Sequence, residues 1–155
     1  MASPPSMQID LDTTYVVTFD TDAGEIVAEL DPKLAPTTVN NFVALARDGF
    51  YDGLTFHRVV PGFVIQGGDP EGTGRGGPGY RFADEPVQAE YVVGTLAMAN
   101  AGPDSNGSQF FICIDDCTTK LDKAYNLFGI VTSGVEIAQQ VKVGTTMRSV
   151  TVAEK

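Results

Sequence analysis

The chain has 155 residues, which fits a single domain, and 43% of them are hydrophobic, enough to bury a core. Its 20 acidic residues outnumber its 10 basic ones and give a formal net charge of -10, the wrong sign for binding the phosphates of nucleic acid. No apolar run approaches the length of a membrane span, which excludes a transmembrane protein.

The first residues of the chain are polar and show no hydrophobic periodicity. We therefore predict a flexible N-terminal lead-in over residues 1–13 and one domain over residues 14–155. Residues 1–6 carry neither the basic patch nor the apolar stretch of a secretory leader. Two cysteines are too few for a disulfide framework. These features predict a cytoplasmic protein whose thiols stay reduced.

The first predicted element is a β-hairpin. Two runs rich in β-branched and aromatic residues, 15–21 and 24–30, flank a short turn that ends in Gly24. A helix of about three turns is predicted next, over residues 36–49, because apolar side chains recur there at helical spacing. The segment begins with proline and ends with glycine, as helices commonly do.

The rest of the chain is typical of short strands separated by glycine, proline and asparagine, with one further short helix over residues 134–141. Many short strands and two isolated helices predict a mainly β fold, an antiparallel barrel or sandwich. The six predicted strands cover residues 55–60, 63–66, 92–99, 109–114, 126–131 and 148–152.

Hydrolytic and metal-dependent chemistry find little support in the sequence. His57 is the single histidine, so any hydrolytic scheme with a histidine base depends on it. A histidine inside a strand more often supports structure by bonding a backbone carbonyl. Cys113 and Cys117 lack the second paired cluster of a zinc site. Cys113 instead fits a small buried core residue.

A glycine-rich segment, residues 74–79, matches the pattern Gly-x-Gly-x-x-Gly of dinucleotide-binding proteins. It leads into Tyr80, Arg81 and Phe82 rather than into a helix, so no helix N-terminus is present to bind a pyrophosphate. We therefore predict a long surface loop whose glycines adopt positive φ.

An arginine within a predicted strand is the most informative single feature. Arg58 is followed, after a Pro-Gly turn, by a second strand that contains Gln66. Strand alternation places the two side chains on one face. Further along, residues 98–103 and 107–112 supply small residues, amides and aromatics around tight turns.

Together these segments, FHRVVPGFVIQGGD at 56–69, MANAGP at 98–103 and GSQFFI at 107–112, resemble the cyclophilin-type peptidyl-prolyl cis-trans isomerases. The resemblance covers residues 15–152. It implies a closed, eight-stranded antiparallel β-barrel capped by two α-helices, with the substrate on the outer barrel surface. It implies an enzyme that uses neither a cofactor nor a metal and assists protein folding by rotating X-Pro bonds.

The resemblance also implies a set of site residues. Arg58 matches the catalytic arginine of the family. The walls of its proline pocket match Phe63, Val64, Phe111 and Leu121. Its polar substrate contacts match Gln66, Asn100 and Gln109, and Ala99 and Ala101 match the groove beside Asn100. Tyr125 is an aromatic residue at the pocket rim, where many members have a histidine.

The expected partners are proline-containing peptides and unfolded or partly folded proteins, bound by a monomer. Lys120 stands where eukaryotic members often have tryptophan, so we expect weakened cyclosporin binding. The acidic surface predicts at most a mild discrimination against acidic peptides, which salt would screen. The alternative function is an X-Pro-binding module with little turnover. Arg58 favours the enzyme, because an unneeded charge at a pocket edge carries a desolvation cost.

Overall fold

Eight β-strands and two α-helices make up the computed structural model, which describes residues 3–155. This content agrees with the predicted mainly β class. Numbered in chain order, the strands are β1 (Tyr15–Thr21), β2 (Gly24–Leu30), β3 (Phe56–Val60), β4 (Val64–Gly67), β5 (Thr95–Met98), β6 (Phe110–Cys113), β7 (Leu127–Ser133) and β8 (Met147–Glu154), and the helices are α1 (Pro36–Arg47) and α2 (Val135–Ala138).

The eight strands form one antiparallel sheet in the order β3, β4, β6, β5, β7, β2, β1, β8. The predicted closed barrel is therefore confirmed only in part, because the sheet curls into a half-barrel whose two edge strands are β3 and β8. Backbone hydrogen bonds nevertheless join residues 53–56 to residues 144–147, beside these two edges.

The predicted hairpin is confirmed with its register. Tyr15 pairs with Leu30 and Thr21 with Gly24 across the turn. Val17 and Phe19 are fully buried while Thr18 between them is more exposed, which is the alternation of a sheet with one face on a core.

Helix α1 packs into the core through the apolar face that its spacing predicts. Ala35, the residue before the helix, has no side chain that can cap it. The carboxylate of Glu85 takes that role and accepts hydrogen bonds from the backbone N–H groups of Thr37 and Thr38 at 3.0 and 2.8 Å. A carboxylate at this end also interacts favourably with the helix dipole.

The largest differences in length from the predicted elements are in β5 and α2, which are both shorter than expected. Strand β5 begins at Thr95 rather than at residue 92, because Gly94 has a φ of +90° and the two valines before it are exposed. Helix α2 has a single helical turn, and irregular turns continue to Val141.

The N-terminal segment contacts α1 through one buried side chain. Asn40 donates hydrogen bonds to the carbonyls of Pro5 and Ser6 and accepts one from the backbone N–H of Gln8 at 2.8 Å. Ile9 packs against the core. The predicted flexibility of residues 1–13 remains a prediction, and its first two residues lie outside the described part of the chain.

The sheet has an apolar cluster on each face. The larger one fills the interior between the sheet and α1 and centres on Phe19, Phe42 and Phe110. The smaller one lies on the outer face and includes Val64 and Phe111. Within residues 3–155, no helix is long and apolar enough to cross a membrane.

Candidate active site

The outer apolar cluster exists because neighbouring residues of β6 point in opposite directions. Phe110 and Ile112 belong to the inner core, whereas Phe111 and Cys113 belong to the outer cluster. The structure brings the five apolar side chains predicted for the pocket and its rim into this outer cluster, together with the groove residue Ala99. The five are Phe63, Val64, Phe111, Leu121 and Tyr125.

The cluster has a buried centre and a half-buried outer edge. Val64 and Phe111 are 2% and 4% exposed, while Phe63, Leu121 and Tyr125 are only partly buried. The rings of Phe111 and Tyr125 meet edge to face with 5.6 Å between centroids. Such a surface fits a small apolar ring rather than a charged ligand.

Arg58 is exposed on edge strand β3, directly opposite Gln66 on β4. Its Nη1 donates a hydrogen bond of 3.2 Å to Oε1 of Gln66, which confirms that the two side chains share a face. No ion pair within residues 3–155 involves Arg58. Because a guanidinium has five N–H donors, most of them stay available to a ligand.

A chain of amide hydrogen bonds continues from Gln66. Its Nε2 donates to Oε1 of Gln109 at 3.0 Å, and Nε2 of Gln109 donates to the carbonyl of Gly76 at 3.0 Å. Gly76 lies in the glycine-rich surface loop. Both glutamines predicted for the site are therefore linked to Arg58 and to this loop.

Asn100 lies beside the pocket, but its side chain is engaged within the protein. Its Nδ2 donates to the carbonyl of Ala124 at 2.9 Å, and its Oδ1 accepts from the backbone N–H of Gly102 at 3.2 Å. The N–H of Ala101 donates to the hydroxyl of Ser105. In the part of the chain that the structure describes, no hydrogen bond uses the Asn100 peptide N–H or carbonyl. The backbone of Asn100 is thus free to pair with an extended peptide.

Asp69 holds the glycine-rich loop and was not singled out by sequence reasoning. Its carboxylate is 1% exposed and accepts hydrogen bonds from the backbone N–H groups of Glu71, Thr73 and Gly74. Burial raises the pKa of Asp69, but these donors outweigh burial and leave the pKa below its usual value. An aspartate followed by closely spaced glycines is the signal that indicates such a turn.

Buried polar groups also fix the segment that carries Gln109. The hydroxyl of Tyr51 donates to the carbonyl of Ser108 at 2.9 Å, and the Ser108 hydroxyl donates to the carbonyl of Gly68 at 2.7 Å. From α1, Asn41 donates to the carbonyl of Gly107 at 2.8 Å. These contacts between residues distant in sequence carry no local sequence signal.

His57, Cys113 and Cys117 are the residues that the sequence offers for hydrolytic or metal-dependent chemistry. Nδ1 of His57 is buried and has no hydrogen-bond partner among residues 3–155, so the backbone carbonyl bond expected for a structural histidine is absent at this atom. No group of three His, Cys, Asp or Glu side chains in the same residues is placed to hold a metal ion. Cys113 and Cys117 are free and buried, and burial raises the pKa of both thiols.

Comparison with known proteins identifies relatives over nearly the whole chain. Residues 16–155 match the family model described as cyclophilin type peptidyl-prolyl cis-trans isomerase. The chain is 50% identical to peptidyl-prolyl cis-trans isomerase B of Bacillus subtilis over 133 residues, which cover 84% of this chain and 92% of the relative. It is 46% identical to a peptidyl-prolyl cis-trans isomerase of Helicobacter pylori over 145 residues, 91% of this chain and 88% of the relative.

Solved structures are similar as well. A cyclophilin type peptidyl-prolyl cis-trans isomerase of Cryptosporidium parvum superimposes with a TM-score of 0.84 at 32% identity, covering 92% of this chain and 99% of that one. A second structure of the same protein, obtained in the presence of the dipeptide Ala-Pro, gives a TM-score of 0.83 at 32% identity and covers 90% of this chain and 99% of that one.

Proposed function

The chain belongs to the cyclophilin-type peptidyl-prolyl cis-trans isomerases, and on that basis we propose that Arg58 supplies its catalytic hydrogen bond. The enzyme rotates X-Pro peptide bonds in polypeptides. The position of Arg58 is the observation that supports this role. An unpaired guanidinium lies on the same outer face as an apolar pocket and is oriented by Gln66.

The physics of the reaction calls for a hydrogen-bond donor and not for an acid, a base or a nucleophile. Rotation about a peptide bond meets a barrier of about 18–20 kcal/mol because resonance gives the C–N bond partial double-bond character. In the twisted transition state that resonance is lost and the prolyl nitrogen gains a usable lone pair. A donor aimed at this nitrogen binds the transition state more strongly than the ground state. Arg58 stays protonated at every relevant pH and presents rigidly oriented donors.

The pocket and the groove hold different parts of the peptide. The apolar walls, Phe63, Val64, Phe111 and Leu121, grip the pyrrolidine ring. The groove residues hold the neighbouring peptide units, so that one side of the bond rotates while the other stays fixed. This second role belongs to Gln66, Ala99, Asn100, Ala101 and Gln109, with Tyr125 at the pocket rim. The unpaired backbone groups of Asn100 support it.

The role of Arg58 is tested by its substitution in a prolyl isomerisation assay on a short peptide. We expect Arg58→Ala to lower kcat/KM about a hundredfold or more, the usual effect of removing one transition-state donor. Arg58→Lys keeps the charge but loses the planar fork, so about a tenfold loss is expected. Arg148→Ala, which removes an exposed arginine paired with Asp22 at 2.9 Å, is the control. A folded Arg58→Ala variant with wild-type kcat/KM would refute the assignment.

The pH profile of the same assay separates donor catalysis from acid-base catalysis. Burial lowers the pKa of His57, the neighbour of Arg58, below its usual value of 6.5, while Asp69 opposes this shift and Arg58 adds to it. The imidazole is therefore neutral above that value, and kcat/KM should be flat from pH 6.5 to about 8. Because the fold disfavours protonated His57, any loss of stability through this group develops as pH falls below 6.5.

We also propose that the half-barrel closes into a barrel through a seam between residues 53–56 and 144–147. This matters for function because β3, the edge strand that would otherwise have one free side, carries Arg58. The proposal is supported by four backbone hydrogen bonds, from Gly53 N–H to Met147 O, Phe56 N–H to Thr145 O, Gly144 N–H to Phe56 O and Met147 N–H to Leu54 O, with lengths of 2.7 to 2.9 Å.

The expected partners follow from the same site. We propose that the clients are unfolded or partly folded chains with accessible X-Pro bonds, acted on by a monomer in the cytoplasm. Weak cyclosporin binding is supported by Lys120, whose Nζ donates to the carbonyl of Gly62 at 2.7 Å and places a charged group beside Leu121.

A further inference from the structure

We propose that Arg75 and Arg81 make the enzyme prefer peptides with an acidic side chain within a few residues of the proline. The inference rests on the proposed function, because it assigns a substrate preference to the same site. It concerns a cleft of about 730 Å³ next to the proline pocket, lined in part by these two arginines.

The cleft is continuous with the peptide-binding groove. Gln66, Asn100 and Gln109 line the cleft and also belong to the groove. The lining also includes five glycines and two alanines, whose small size leaves space for an incoming side chain. An extended peptide advances about 3.3 Å per residue. A side chain two or three residues from the proline therefore reaches the cleft.

The charge of the cleft is opposite to that of the whole protein. The chain has a net charge of -10 and only five arginines, of which two line the cleft. No Asp or Glu among the described residues lines it. Neither Arg75 nor Arg81 takes part in an ion pair within residues 3–155, where the four ion pairs use other cations. Both side chains are exposed and are free to meet a ligand.

Two carboxylates beside the glycine-rich loop form no ion pair with the two arginines among the described residues. The carboxylate of Asp69 accepts hydrogen bonds from backbone N–H groups of the loop that surround it. Glu71 lies on the same loop, and its Oε2 is close to the position that a Cβ on Gly76 would occupy. Because Gly76 follows Arg75, Glu71 is placed to compete with a substrate carboxylate. Its removal is expected to strengthen the preference.

Local charge decides the preference because exposed charges further apart than about 8–10 Å are largely screened at physiological salt. A carboxylate in the cleft is influenced by Arg75 and Arg81 far more than by acidic residues elsewhere on the surface. A guanidinium also presents paired donors that match a carboxylate. The sign of the preference is therefore opposite to the aversion to acidic peptides that net charge alone predicts.

The test compares peptides that differ at one position around a central Ala-Pro. Glu, Gln or Lys is placed in turn two or three residues before and after the proline, and isomerisation is followed by exchange NMR at low and high salt. The enzymes are the wild type, Arg75→Gln/Arg81→Gln, Glu71→Gln and the charge-matched control Lys142→Gln/Lys155→Gln.

We expect the wild type to show a kcat/KM about three to ten times higher for Glu than for Lys at one or more positions, as fits exposed pairs of this kind. The preference should shrink with salt, disappear in Arg75→Gln/Arg81→Gln, grow in Glu71→Gln and persist in the lysine control. Equal rates for Glu and Lys, or a preference that survives loss of both arginines, would overturn the inference. Failure to accelerate even the Gln peptides would instead refute the proposed function.

Discussion

At the scale of single residues, the direction of the amide hydrogen bonds determines which side-chain atom of Gln66 faces Arg58. Gln109 donates to the carbonyl of Gly76, so its oxygen faces Gln66. Nε2 of Gln66 must therefore donate to Gln109, so Oε1 of Gln66 accepts the hydrogen bond from Arg58. The glycine-rich loop therefore fixes the acceptor that orients the guanidinium of Arg58. We therefore expect Gln109 to act as a positioning residue in addition to its proposed role in the groove.

Replacement of Gln109 by leucine should lower kcat/KM about three- to tenfold, the cost of one lost hydrogen bond, while circular dichroism shows an intact fold. The diagnostic measurement is a double-mutant cycle with Arg58→Ala. If Gln109 acts through Arg58, its replacement has little further effect once Arg58 is absent. Gln140→Leu, at an exposed glutamine after α2, is the control. Full additivity of the two substitutions would contradict a positioning role.

The sequence predicts part of this site and misses another part for a physical reason. Strand alternation is local, so it places Arg58 and Gln66 on one face without knowledge of the fold. The anchoring of Ser108 by Tyr51 depends on a hydrogen bond between residues 57 positions apart, which only the folded chain brings together. Periodicity carries no information about such contacts.

At the scale of secondary-structure elements, the main issue is the edge strand β3. One side of β3 pairs with β4, and the other side forms backbone hydrogen bonds through Phe56 to Gly144 and Thr145. The sequence predicts the strands but not this seam, because Gly144 and Thr145 lie in a turn without strand periodicity. Tight turns also explain why β5 is shorter than its apolar run.

Amide hydrogen exchange tests the seam directly. If the barrel is closed, the seam N–H groups, above all those of Phe56 and Met147, should exchange at least about a hundredfold more slowly than that of Gly77 in the exposed loop. The amide of Val17 in β1 is the protected reference. Exchange of the seam amides at the rate of Gly77, with Val17 still protected, would show an open half-barrel.

At the scale of the whole molecule, the sheet separates an inner core from the outer face that carries the proposed site. Phe110 is fully buried in the inner core, where its ring lies 5.5 and 5.6 Å from those of Phe42 and Tyr51. Phe111, one residue later, belongs to the outer cluster and packs against Tyr125. We therefore expect the same residue type to support the fold on one face and to contact the substrate on the other.

Matched substitutions of these two neighbours should give opposite results. Phe110→Leu should lower the free energy of unfolding by about 1–3 kcal/mol, because the core cannot refill the lost ring volume, and leave kcat/KM within about twofold. Phe111→Leu should lower kcat/KM about tenfold or more, because the pocket loses the flat wall that the pyrrolidine ring contacts, and affect stability less. Denaturant unfolding and the peptide assay measure both quantities for each variant. Similar losses of stability and activity in both variants would show that the two faces are not functionally separate.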